Sequence, residues 1–389
     1  VTIVWVALLC SAYPYALYPA LLKLAASLRA PRARPRVPPD RWPSVSICIP
    51  VYNEAAAIAA TLEAILASDY PKERRQIVVI SDASSDGTDA IVSQFAARGV
   101  TLVRVPQRRG KTAAENAARH ELSGEIVVNT DASVRVHPSA IKHLVLALAD
   151  PKVGLASARD VSVAGLSAPV TAGEATYVGY EMWVRDLETA VSGIVGASGC
   201  LYAIRTGLHD EYLPDALSRD FAAALVTREH GYRAVSVPDA ICFVPRSRSL
   251  GHEYRRKVRT MSRGLATLIY KRRLLDPFRH GAFAWMLASH KLARWLVPWA
   301  IVVMLAALVR AAPSDPWARW ALIGSGAAGL AAALGWLWPE GRRTPRVLAV
   351  PAFAAGGIVA ALHAWVRVLA GQKAPTWEPT RRTQTHLVS

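Results

Sequence analysis

Val45-Ser46-Ile47-Cys48-Ile49-Pro50-Val51 runs directly into Tyr52-Asn53-Glu54, and that junction sets how the chain is read. A short apolar run that stops at polar residues reads as a strand buried on both faces. The phrase recurs downstream. Residues 76–81 (QIVVIS) lead to Asp82, and residues 125–129 (EIVVN) lead to Asp131. Between the runs, residues 54–67 place Ile58, Leu62, Ile65 and Leu66 on one helical face. Further strands are expected over 100–105 and 153–157, and further helices over 87–98, 111–122 and 138–149. The alternation predicts an α/β domain whose parallel sheet carries helices on both faces. Ligands in such sheets bind beyond the carboxyl ends of the strands. Asn53, Glu54, Asp82 and Asp131 all fall there. Each alone is also an ordinary cap or turn residue, and Asp86-Gly87-Thr88 is turn chemistry. Several acids along one edge predict a site. Beyond them come a helical pattern over 171–190, a small-residue segment at 192–199, a strand over 200–204 and a helix from about 215 to 228.

The ends of the chain are of another kind. Of 389 residues 52% are hydrophobic, which directs attention to membrane spans. Residues 1–22 carry no charge, enough to cross a hydrocarbon core of roughly 30 Å. With no basic stretch before it, this run reads as a span and not as a cleaved signal peptide. Three more apolar runs lie at 292–309, 320–339 and 347–366. The 46 Lys plus Arg against 29 Asp plus Glu give a net charge of +17. A nucleic-acid partner is one reading of that excess, but its placement excludes it. Lys23, Arg29, Arg32, Arg34, Arg36 and Arg41 follow the first span, and Lys271, Arg272, Arg273 and Arg279 precede the second. Basic residues beside spans mark the cytoplasmic face and attract anionic lipid. The expected order is a transmembrane helix (1–28), a basic Pro-rich linker (29–44), a cytoplasmic domain (45–270), a basic interfacial segment (271–291), a membrane region of about three segments (292–370) and a tail (371–389). Four full crossings would put the tail outside, whereas Lys373, Arg381 and Arg382 favour the inside. One C-terminal segment is therefore expected to be re-entrant or interfacial, with the stretch around Pro351 and Gly356-Gly357 the weakest span. The four cysteines (Cys10, Cys48, Cys200, Cys242) lack metal-ligand spacing and read as reduced thiols.

Two nucleotide-binding designs are set aside. No G-x-G-x-x-G follows the first strand. Gly110-Lys111-Thr112 resembles the end of a phosphate loop, but Val105 stands where its first glycine belongs, and a bulky side chain there obstructs a backbone cradle.

The third design rests on resemblance. Residues 46–55 (SICIPVYNEA) and 80–88 (ISDASSDGT) resemble the opening of membrane-bound family 2 glycosyltransferases of the GT-A fold, which are similar to bacterial polysaccharide and poly-N-acetylglucosamine synthases. The likeness continues through Arg109-Gly110-Lys111, residues 128–133 (VNTDAS), Gly196-Ala197-Ser198-Gly199, Ser218-Arg219-Asp220-Phe221, Gly231-Tyr232-Arg233 and Val237-Pro238-Asp239-Ala240. It covers roughly residues 44–270. The implied fold is a GT-A (nucleotide-diphospho-sugar transferase-like) domain flanked by transmembrane helices. The implied activity is inverting transfer of a hexosyl or N-acetylhexosaminyl group from a nucleotide-sugar donor, a UDP-sugar, to a membrane-associated glycan or lipid acceptor. The implied place is the inner or plasma membrane, with the catalytic domain in the cytoplasm.

The resemblance also implies roles. Val51, Asn53, Glu54 and Asp82 would hold the donor's base and ribose, and Lys111 its phosphate or base. Asp131 opens the family's Asp-x-Asp metal motif, which brings Mg²⁺ or Mn²⁺ to the diphosphate. Ser133 replaces the second Asp, a weaker ligand. Asp220 would be the catalytic base that takes the acceptor hydroxyl's proton. Arg256 and Arg259 fall where the family has Gln-x-x-Arg-Trp, and would contact the diphosphate. Thr260 stands in place of the Trp, which argues against processive elongation. The same segment also reads as a basic helix on anionic lipid, with Met261, Leu265 and Leu268 on its apolar face. Ser133 and Thr260 leave one alternative, a non-catalytic membrane partner subunit with a degenerate domain.

Overall fold

The buried strand at Val45–Val51 is β1, and it lies inside an eight-stranded sheet. The computed structural model describes residues 1–29, 41–163, 172–245, 250–339, 344–372 and 376. Most of the linker and of the tail, Arg381 and Arg382 included, lies outside the described residues. The remaining strands are β2 (Arg75–Ser81), β3 (Val100–Arg104), β4 (Ile126–Thr130), β5 (Arg135–Val136), β6 (Val153–Val163), β7 (Leu201–Arg205) and β8 (Arg233–Pro245). Their order across the sheet is β3-β2-β1-β4-β7-β6-β8-β5.

β1 pairs in parallel with β2 and β4, and β2 with β3. The wholly parallel sheet expected from the alternation is corrected at β7, which runs antiparallel to both β4 and β6. Alternation reports the kind of element but not its direction. Here the chain enters β7 at the carboxyl end of β4, where Thr130 is registered with Leu201, so β7 has to run backwards. Helices Ile58–Leu66, Lys111–Ala118 and Ala140–Ala147 begin or end within a few residues of expectation, except that the first starts at Ile58 and not at Glu54. Residues 53–57 are used instead to tie two loops together.

The core gathers on the strands. Ile47, Ile49, Ile77, Val79 and Val128 are almost fully enclosed, together with Ile58, Leu62 and Ile65 of the first helix. Each such side chain contributes roughly 1.5–3 kcal/mol relative to exposure. Gly124 precedes β4 where β1 comes closest. A Cβ there would lie 2.5 Å from the Ser46 backbone nitrogen and 2.6 Å from the Val45 carbonyl carbon.

The chain divides into two compact units. The sheet belongs to one, comprising Arg29–Gly165, Val178–Arg246 and Ala374–Ser389. The other comprises Val1–Leu28, Leu166–Tyr177 and Ser247–Lys373 and is helical where described. Its first helix runs from Thr2 through a π-turn at Tyr13–Leu17 to Ser27. Tyr18 is fully enclosed and meets Trp285 edge-on at 5.3 Å, and the Tyr13 hydroxyl lies 2.7 Å from Ser289 Oγ. Trp5 stacks on Trp317 at 5.2 Å. Among the described residues three helices are long and apolar enough to cross a membrane: Thr2–Ser27, Ala282–Ala311 and Arg346–Leu369. Two of the four expected spans can be compared with these helices. The stretch around Pro351 forms a continuous helix of 24 residues. The run expected at 320–339 is the helix Pro316–Trp336, which falls outside the set because Arg319 and its glycines lower its mean hydropathy.

Gly124→Ala should lower the thermal unfolding temperature of the purified protein. The added methyl meets the backbone of Val45 and Ser46, which cannot swing aside as the Ser46 hydroxyl could, so a cost of about 1–3 kcal/mol is expected. An unfolding curve that overlays the wild type would contradict the packing described.

Candidate active site

Three strand ends build the site. Beyond β1, Asn53 adopts a left-handed backbone (φ 52°), which asparagine tolerates better than most residues. Its side-chain oxygen accepts the Ser85 N–H at 2.8 Å, and its own N–H donates to Ser84 Oγ at 3.1 Å. The Glu54 N–H donates to Thr88 Oγ1 at 2.9 Å, and the Ala55 N–H to Asp86 at 3.1 Å. The loops after β1 and β2 are thereby one structure. Next to them the Arg108 guanidinium lies 3.8 Å from the centre of the Tyr52 ring, a stacked cation that the sequence reading did not single out.

Asp82 follows β2 and is 3% exposed. Its two carboxylate oxygens accept the backbone N–H groups of Arg109 (2.9 Å) and Gly110 (2.8 Å). Gly110 has φ 96°, a conformation suited to glycine, and the helix Lys111–Ala118 starts directly after it. Asp82 therefore sets where that helix begins and so where Lys111 projects.

Lys111 reaches the end of β4. Its Nζ donates to Asp131 Oδ1 at 2.6 Å and to the Gly199 carbonyl at 3.4 Å. Burial works against the Lys111 charge, but the negative Asp131, Glu115 and Asp220 outweigh it and raise its pKa, so the ammonium persists. Asp82, Lys111 and Asp131 line a common cleft with Pro50 and Val51.

Asp220 arrives from elsewhere in the sequence. It lies in the first turn of the helix Arg219–Glu229 and accepts the Ser218 hydroxyl at 2.6 Å. Its other carboxylate oxygen occupies the place of a missing side chain, since a Cβ on Gly199 would lie 2.9 Å from it. Three bonds hold this segment against the Lys111 helix. Thr112 Oγ1 donates to the Leu217 carbonyl at 2.9 Å, Asn116 Nδ2 to the Leu213 carbonyl at 2.6 Å, and Arg219 Nη1 to Asn116 Oδ1 at 2.8 Å. Glu115, fully enclosed, lies 3.3 Å from Arg219 Nε. Burial pushes the Glu115 carboxyl up, against the pull of Lys111 and Arg219. The sequence reading missed Glu115. An acid among alanines on a short helix carries no local mark of burial.

The structure thus brings Val51, Asp82, Lys111, Asp131 and Asp220 to one sheet edge. Arg256 and Arg259 lie on the helix Leu250–Tyr270 of the other compact unit, where Arg256 holds Glu253 through bonds of 2.8 and 2.7 Å. Among the described residues no three His, Cys, Asp or Glu side chains converge as a metal-binding group. The donor set nevertheless suits a hard cation completed by ligand oxygens. Asp131 gives Oδ1 to Lys111, and its Oδ2 makes no hydrogen bond among the described residues.

Residues 46–173 match the family Glycosyl transferase family 2. A probable glycosyltransferase, YdaM, of Bacillus subtilis is 36% identical over 118 residues, covering 29% of this chain and 28% of that protein. An N-acetylglucosaminyltransferase of Rhizobium sp. is 27% identical over 251 residues, covering 59% of this chain and 54% of that protein. The chain therefore spans about half, or less, of the length of these curated relatives. Among solved structures, the mannosyltransferase PcManGT from Pyrobaculum calidifontis, in complex with GDP-Man and Mn²⁺, superposes with a TM-score of 0.73 at 25% identity, covering 96% of this chain and 99% of that one. With this sheet and this edge, residues 46–173 carry the family 2 glycosyltransferase match, and the fold is that of GT-A enzymes.

Proposed function

We propose that the protein is an inverting glycosyltransferase that moves a hexosyl or N-acetylhexosaminyl group from a nucleoside-diphosphate sugar, a UDP-sugar, to a membrane-associated glycan or lipid. The observation that carries this reading is the convergence of Lys111, Asp131 and Asp220 around Gly199. One cation and one metal-suited carboxylate stand beside a second carboxylate seated in a helix first turn. That combination suits a diphosphate leaving group and a proton acceptor.

In the proposed reaction Asp220 accepts the proton of an acceptor hydroxyl. That oxygen forms a bond to the anomeric carbon from the side opposite the nucleoside diphosphate, and the bond from that carbon to the phosphate oxygen breaks. A single displacement inverts the anomeric centre. Lys111 holds negative charge on the departing diphosphate, while Asp131 with Ser133 would hold a divalent ion, Mg²⁺ or Mn²⁺. When bound, that ion offsets charge on the leaving group. The Mn²⁺ and GDP-Man in the PcManGT complex support a divalent ion and a nucleoside-diphosphate donor. The name of the Rhizobium relative supports an amino sugar. The loops at Asn53–Glu54 and Asp82, with Arg108 on Tyr52, would hold the base and ribose. Arg256 and Arg259 are proposed as diphosphate contacts on the resemblance alone.

Three apolar helices support integration in the inner or plasma membrane. Ile3, Val6, Leu9, Val302, Val303, Val309, Val350, Val359 and Val366 are all exposed, an outer surface that suits lipid. The basic residues flanking these helices support a cytoplasmic catalytic domain.

Screening nucleotide sugars against membranes holding the protein, with product mass measured, tests the reading. Asp220→Asn should lower kcat at least about 100-fold while donor binding persists. Wild-type protein inert with every donor and metal would instead support a non-catalytic partner subunit. Asp131→Ala should abolish metal-dependent donor binding by calorimetry, and unchanged metal-supported binding would refute that role. Gly199→Ala should displace the Asp220 carboxylate and lower kcat at least about tenfold in a folded protein. Retained kcat would show that the seat is immaterial.

A further inference from the structure

The loop at residues 196–200 cannot hold itself in place. Its side chains are those of Gly196, Ala197, Ser198, Gly199 and Cys200. Yet three parts of the candidate site touch it. The Cys200 carbonyl accepts the Asp131 N–H at 3.4 Å and Thr130 Oγ1 at 2.9 Å. The Gly199 carbonyl faces Lys111 Nζ, and the bare Cα of Gly199 receives the Asp220 carboxylate.

Side chains outside the loop supply the stiffness. The Ser198 hydroxyl lies 2.6 and 2.7 Å from the two oxygens of Asp160, on β6, and accepts the Cys200 N–H at 3.1 Å. The Ser198 N–H donates to Ser157 Oγ at 2.9 Å. Arg185, on the helix Ala172–Val191, donates through one nitrogen to that same Ser157 oxygen and to the Gly196 carbonyl, each at 2.8 Å. Cys242 of β8 donates to Asp160 from 3.3 Å. Arg185 is 3% exposed and Ser157 fully enclosed. Burial pushes the Asp160 carboxyl up, opposed by Arg185 and by the bonds from Ser198 and Cys242. Taking the Arg185 guanidinium out of water costs several kcal/mol before its hydrogen bonds return any of it.

We propose that Asp160 and Arg185, acting through Ser157 and Ser198, clamp residues 196–200 and are positioning residues that hold Asp220 in register with Asp131 and Lys111. Neither need touch donor or acceptor. The clamp grips the loop just before Gly199, at Gly196 and at Ser198, and Ser198 Oγ reaches past it to the Cys200 N–H. Loosening it frees the seat of the proton acceptor, while Asp131 stays on β4 and Lys111 on its helix. The step that needs Asp220 should suffer, and the donor subsite should not. This inference rests on the transferase reading above.

The test compares kcat and donor KM per folded molecule for Asp160→Ala, Asp160→Asn and Ser198→Ala in purified full-length protein. Asp160→Ala should lower kcat at least about tenfold with donor KM changed less than about threefold, as expected when a reacting group is misplaced and binding is intact. Asp160→Asn keeps an oxygen that accepts the Ser198 hydroxyl and should restore kcat to within about threefold of wild type. Ser198→Ala removes the same link with little change in volume. It should show the same split, which keeps the test decisive if Asp160→Ala fails to fold. A folded Ser198→Ala with wild-type kcat, a loss accounted for by donor KM, or an Asn variant no better than Ala would each overturn the clamp and leave the transferase reading standing. A wild-type protein that transfers no sugar overturns both.

Discussion

Charge balance around Lys111 is the constraint on which the site depends. Asp131, Glu115 and Asp220 all act on this one ammonium, and Arg219 is the other cation set against Glu115. Three carboxyl groups crowded at a sheet edge would repel one another or take up protons. Burial resolves part of this by raising the Glu115 carboxyl, and Lys111 resolves part by holding Asp131. The site is thus near balance before any ligand arrives. A diphosphate brings two negative charges into it, and a divalent cation beside Asp131 would return the balance. The divalent ion proposed above is consistent with this balance.

Balance alone does not place atoms. Placement comes from backbone groups that have no freedom to adjust. Asp82 grips two successive amides and fixes the start of the Lys111 helix. Thr112 and Asn116 on that helix take hold of carbonyls just before Asp220. Cys200 ties the end of β4 to the start of β7. Each link joins residues far apart in sequence, so a change at one is felt across the edge. The antiparallel β7 has a purpose in this light. Running backwards from β4, it delivers Gly199 next to Asp131.

The helical unit obeys a different physics. Its interior is joined by aromatic contacts and a few hydrogen bonds, such as Trp365 Nε1 to the Trp295 carbonyl at 2.8 Å, while large apolar side chains cover its outside. In water that exterior would be a liability, and in a bilayer it is the appropriate surface. Two glycines permit close approach within it. Gly335 has room for no Cβ because the Leu348 carbonyl stands there, and Gly264 abuts the Trp295 ring. Without a side chain at these two positions, the neighbouring backbone and ring come within reach of the helix backbone.

Much of this was legible in the sequence because it is local. Period and length marked β1, β2 and β4. The acids at their ends marked the candidate functional edge, and four apolar runs were expected as spans, three of which fall in helices of membrane-spanning length. Asp82, Lys111 and Asp131 could be named because each follows a strand or opens a helix. Pairing direction was not legible, since a buried strand has the same composition either way round. Nor was Glu115, whose burial is decided by Arg219 more than a hundred positions away. Asp160 and Arg185 look like surface charges on an ordinary strand and helix until folding turns them toward Ser198 and Ser157. The sequence by itself determined the elements and the chemical groups available at the edge beyond Val51. Only the tertiary structure decided which groups meet, because distance between side chains and the energetic cost of burying charge arise when remote segments share the same space.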